Sequence, residues 1–87
     1  MTTLSSEVLQ DDMAVALARV MATANKRARE LGVDIVQSFV TITQHFDNGL
    51  LWRINYGSKD YIHQRGGDLI IEVSGNDIKI KQVLRGQ

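Results

Sequence analysis

Val40-Thr41-Ile42-Thr43-Gln44-His45-Phe46-Asp47-Asn48-Gly49-Leu50-Leu51-Trp52-Arg53-Ile54-Asn55-Tyr56 is the stretch that decides the fold. Apolar and polar side chains alternate on both sides of Asp47-Asn48-Gly49, the period of a strand with one buried face. Asn and Gly reach positive φ at little cost, so the tripeptide reads as the turn of a β-hairpin. A three-residue loop pairs Phe46 with Leu50, Gln44 with Trp52, Ile42 with Ile54, and Val40 with Tyr56. The opposite face then carries His45 with Leu51, Thr43 with Arg53, and Thr41 with Asn55. A slip of one residue would mix the two faces, which is costly where one side is buried. Trp52 and Phe46 fall on the apolar face and are expected in the core.

Working outward toward the C-terminus, Leu69, Ile71 and Val73 alternate with Ile70, Glu72 and Ser74, and Gly75-Asn76-Asp77 turns the chain into Ile78–Leu84. A four-residue loop predicts Val73 opposite Ile78, Ile71 opposite Ile80, and Glu72 beside Lys79 as a cross-strand charge pair. Toward the N-terminus the period changes. Leu9, Met13, Leu17, Val20, Ala24, Ala28 and Leu31 recur at steps of three and four, which predicts one helix over residues 6–31. Ser5 or Ser6 is the expected N-cap, Asp11 and Asp12 suit the positive end of the dipole, and Gly32 is the expected C-terminal stop. The alanines permit close approach to a flat partner. The fold class is therefore α+β in a single domain, 1–87: one N-terminal helix packed on a four-stranded antiparallel sheet.

Composition narrows the function classes. The 87 residues hold ten basic and ten acidic side chains, a formal net charge of zero, which gives no support to a nucleic-acid partner or an anionic membrane surface. There is no cysteine, so disulfides, thiolate nucleophiles and cysteine-based metal sites are excluded. The first residues lack the basic and apolar regions of a secretory signal, and no apolar run is long enough to span a bilayer. These features predict a cytoplasmic protein with no membrane partner.

Chemistry-bearing motifs are few. His45 and His63 have no ligand spacing for a metal, and none of the five serines stands in a nucleophile-elbow setting. Gly57-Ser58-Lys59 and Arg65-Gly66-Gly67 match neither phosphate-binding fingerprint. Neither a catalytic residue nor a metal or cofactor is assigned. The long connection 57–68 concentrates Lys59, Asp60, Tyr61, His63 and Arg65 and is the expected partner-binding surface, since long loops in small domains tend to carry contacts. Tyr61 and Arg65 are its expected anchors. On the outer sheet face, Phe39, Leu51, Ile70 and Val83 are expected to form an apolar patch suited to a partner or a homodimer. Gln44 and Gln82, read as facing the helix side, would border a pocket for a small ligand in an alternative reading.

Helix-then-meander order resembles the cystatin-like and PepSY-like architectures. Trp52-Arg53-Ile54-Asn55-Tyr56, the lead-in Gly66-Gly67-Asp68 to Leu69-Ile70-Ile71-Glu72-Val73, and a last strand closing on Arg85-Gly86 are similar to small bacterial NTF2-fold immunity proteins over residues 50–87. Ser74-Gly75-Asn76-Asp77 departs from the Asp-x-x-Thr-Gly turn of PepSY-like repeats. What the immunity resemblance implies is binding and blocking of a protein partner, without catalysis.

Overall fold

In the computed structural model, which describes residues 10–46, 48–58 and 68–85, helix α1 (Asp12–Glu30) lies across one face of a four-stranded antiparallel sheet. The strands are β1 (Ser38–Phe46), β2 (Leu50–Ser58), β3 (Leu69–Ser74) and β4 (Ile80–Arg85), adjacent in chain order. This is the α+β arrangement that the two periodicities require.

Both ends of α1 are set by local chemistry. Asp11 is extended (φ −92°, ψ 108°), and its Oδ1 accepts the Ala14 N–H at 2.9 Å, which satisfies one free amide of the first turn. This helix therefore begins at Asp12, and Asp11 interrupts the expected span, since Gln10 before it is also helical; residues 6–9 of that span lie outside the described residues. At the other end Gly32 takes φ +90°. The Gly32 N–H donates to Arg29 O and the Val33 N–H to Ala28 O, each at 3.0 Å, the paired bonds of a Schellman stop. A single 3-10 turn, Ile35–Gln37, then leads into β1, closed by the Ser38 hydroxyl on Asp34 O at 2.7 Å.

The first hairpin forms in the expected register, from Phe46↔Leu50 through Val40↔Tyr56, with Asn48 at φ +56° and Gly49 at φ +126° in its turn. The second does not. Its loop is Gly75–Ile78, closed by the Ser74 N–H on Lys79 O at 2.8 Å, and Ile78 adopts φ +53°. That left-handed conformation is costly for a β-branched residue. It is held because Ile78 packs on the core and its N–H reaches Ser74 O at 3.0 Å. Val73 pairs with Ile80, and a bulge then shifts the register so that Glu72 faces Gln82, Ile71 faces Val83, and Leu69 faces Arg85. One extra residue, Lys81, reverses the facing of everything after it. Glu72 thus does not stand opposite Lys79, and Val83 lies on the helix-covered side, packed against the core.

Val20, Ala24 and Ala28 of α1 are fully buried against Ile54, Ile71 and Val73, with Trp52, Tyr56 and Leu69 around them. Alanine at 24 and 28 brings the helix axis close to the sheet. A helix is about 10 Å across and strands repeat every ~4.8 Å, so one helix covers about two strands. Here it covers β3 and β2. The helix-side face of β1 is left open: Phe46 is 79% exposed and Val40 37%, while only Ile42 joins the core edge. Phe46, expected in the core, stands outside it for this reason.

Candidate functional site

The outer face of the sheet is built in cross-strand rows. Thr41, Asn55, Ile70 and Leu84 form one row, and Thr43, Arg53, Glu72 and Gln82 the next. His45, Leu51 and Ser74 form a third. Phe39 stands opposite Gly57 at the far end, where the Asp68 carboxylate lies beside the glycine: a Cβ on Gly57 would sit 3.3 Å from Asp68 Oδ1.

At the centre, Arg53 donates to Glu72 Oε2 through Nε at 3.0 Å and Nη2 at 2.7 Å. Glu72 is only 7% exposed although no helix among the described residues covers this face. The Arg53 guanidinium and the flanking strands shield it. The ion pair lies in the row between Leu51 and Ile70, so these two residues are separated by charge. Of the expected patch, Phe39, Leu51 and Ile70 do share the outer face but do not touch in register, and Val83 is replaced on that face by Leu84. No periodicity signals Leu84, because its facing depends on the bulge. Asn55 Oδ1 is buried in the row of Thr41 and Ile70 without a hydrogen-bond partner among the described residues.

Beside Glu72 a cleft of about 250 Å³ opens between the two hairpin turns, bordered by Asn48, Leu51, Ser74, Lys81 and Gln82. Its polar lining comes from the turns at Asn48 and Asn76 and from Glu72, Ser74, Lys81 and Gln82 of β3 and β4. Gln82, expected on the helix side, faces this outer cleft, and Gln44 is exposed on β1, so the two amides border no common pocket.

On the helix side, Tyr56 donates its hydroxyl proton to Asn25 Oδ1 at 2.7 Å and ties β2 to α1. Burial pushes the Tyr56 phenol up to about 12, partly offset by the Arg29 cation. The Trp52 indole N–H is buried with no acceptor among the described residues. Arg85 reaches from the end of β4 to Leu31 O at 2.9 Å, placing a cation on the negative end of the helix.

His45 Nε2 lies 3.1 Å from Thr43 Oγ1 on the outer face of β1. Among the described residues no three His, Cys, Asp or Glu side chains converge on a point, and no helix is long and apolar enough to cross a membrane. Lys59, Asp60, Tyr61, His63 and Arg65, the expected partner contacts, lie outside the described residues. Comparison with known proteins adds no relative: no protein-family model, no curated protein and no solved structure matches this chain.

Proposed function

We propose that this chain is a non-enzymatic interaction module that binds a protein partner through the 57–68 segment and the outer sheet face, in the manner of an immunity or inhibitor protein. One observation carries the reading. The outer face mixes apolar side chains at Phe39, Leu51, Ile70 and Leu84 with the Arg53–Glu72 ion pair, and α1 lies on the other side of the sheet. Protein-binding surfaces are about as apolar as the rest of a protein's surface and are enriched in aromatic residues and arginine, which Phe39 and Arg53 supply here. Phe39, at 58% exposure, is the largest apolar contribution, and it neighbours the strand ends from which the 57–68 segment departs.

The test is affinity capture of the tagged protein from its host, compared with a Tyr61→Ala/Arg65→Ala/Phe39→Ala variant whose circular dichroism matches the parent. The expected result is a stoichiometric partner recovered with the parent and lost from the variant. A partner retained by the variant, or no partner at all, would sink the proposal. The alternative reading is a small-ligand binder, which a small molecule retained in native mass spectrometry would support.

A further inference from the structure

The two edges of the sheet differ in a way that bears on self-association. β4 is a guarded edge: it is six residues long, carries Lys81 and Arg85, and is bent by the bulge. Charges, brevity and bulges are the devices by which proteins keep an edge from pairing. β1 has none of them. Its nine residues, Ser38-Phe39-Val40-Thr41-Ile42-Thr43-Gln44-His45-Phe46, include no Lys, Arg, Asp, Glu, Pro or Gly, and its pairing with β2 has no register shift. Among the described residues, β1 pairs with β2 alone. One margin of the strand thus presents backbone N–H and C=O groups with no strand beside them.

We propose that β1 pairs with β1 of a second copy of this chain, antiparallel about a two-fold axis at Ile42, joining two four-stranded sheets into one of eight strands. The seam is the free margin of β1, and Phe39, Thr41 and Thr43 beside it also stand on the outer face invoked for a protein partner.

The strand is complementary to itself. Full overlap of nine residues on their two-fold mates sets Ile42 against Ile42, Thr41 against Thr43, Val40 against Gln44, Phe39 against His45, and Ser38 against Phe46. Residues opposite one another in an antiparallel pair point to the same side, so both copies keep α1 on one common face. No pair places like charges together. Threonine pairs across strands are favourable. Full overlap of β4 on its two-fold mate would set Lys81 against Leu84 and Arg85 against Ile80, crowding four cations along one seam, which favours β1.

Area also favours a second copy. At 58% and 79% exposure, and about 200 Å² for a phenylalanine side chain, Phe39 and Phe46 leave on the order of 270 Å² open per chain. Two copies offer roughly half of the ~1,000 Å² that a specific interface needs. Val40 and the paired backbone of eighteen strand residues supply further area.

Sedimentation velocity over a concentration series tests the proposal with three samples. The parent is expected to sediment as a dimer. T41K/T43K, which changes two exposed side chains on the outer face of β1, sets lysines opposite one another at both threonine pairs and is expected to weaken the dimer on the order of tenfold or more. An equimolar mixture of T41K/T43K with T41E/T43E is expected to restore it as a heterodimer, because each lysine then meets a glutamate. A parent that stays monomeric to near-millimolar concentration overturns the proposal, as does a T41K/T43K variant that dimerises like the parent or a mixture that fails to reassociate. If the lysine variant loses its circular dichroism spectrum, Phe46→Lys replaces it. That residue is outside the core, so a folded monomer supports the seam and an undiminished dimer refutes it.

Discussion

Arg53 and Glu72 face one another across β2 and β3, and both Arg53 donors fall on one carboxylate oxygen, at 3.0 and 2.7 Å. The two partners are unequally placed: the Glu72 side chain is 10% exposed and that of Arg53 44%. Removing the arginine strands a buried charge, whereas neutralising the glutamate leaves a cation that water can reach. Arg53→Met is therefore expected to cost about 1–3 kcal/mol, more than Glu72→Gln, with the solvated arginine keeping the value below that of a fully buried pair. Urea unfolding of both variants checks the order; equal losses would show that the pair is solvated throughout.

Gly75 is required by Leu50. A Cβ at position 75 would lie 2.5 Å from both Leu50 Cγ and Cδ2, closer than carbon atoms pack, while the Gly75 N–H bonds Leu50 O at 2.8 Å. Gly75→Ala is expected to destabilise by about 1–3 kcal/mol, and Leu50→Ala in the same chain to recover part of that loss. A double-mutant cycle with no coupling between the positions would refute the contact.

Tyr56 makes stability fall at high pH. Its folded-state phenol ionises at about 12 against 10.0 for the unreacted side chain, because burial disfavours the phenolate. Between these values the unfolded chain releases the proton and the folded chain retains it, so the contribution is complete below pH 10 and disappears as pH rises toward 12. The parent is expected to lose more stability than Tyr56→Phe across that window. Near neutral pH the same variant loses the bond to Asn25 and is expected to cost about 0.5–1.5 kcal/mol.

Phe46 and Ile71 look alike in the alternating pattern but differ in burial, 79% exposed against 0%. Ile71→Ala is expected to cost about 2–5 kcal/mol, and Phe46→Ala within about 0.5 kcal/mol when the protein is held monomeric by dilution. Thermal or urea unfolding separates the two; similar losses would place Phe46 in the core after all.

Only part of the candidate site is legible in the sequence. Phe39, Leu51 and Ile70 can be read onto the outer face because the first hairpin and β3 keep strict alternation up to the bulge. Alternation alone puts Val83 on the outer face, and the extra Lys81 of the bulge turns it to the helix side. The Arg53–Glu72 pair joins strands from different hairpins, 19 positions apart, and no hairpin register relates them.

What the sequence determined alone is what local rules govern. The period of two, the Asn48-Gly49 turn, the register of the first hairpin and the stop at Gly32 all follow from dihedral preferences and neighbouring side chains. Tertiary structure decided where α1 settles, and with it which apolar residues stay outside. A helix about two strands wide must choose among four, and packing of Val20, Ala24 and Ala28 on Ile54, Ile71 and Val73 places it over β2 and β3. The same packing holds Ile78 in its left-handed conformation ahead of the shifted register of β4. Burial of one side chain there outweighs a local preference, and no local rule can anticipate it.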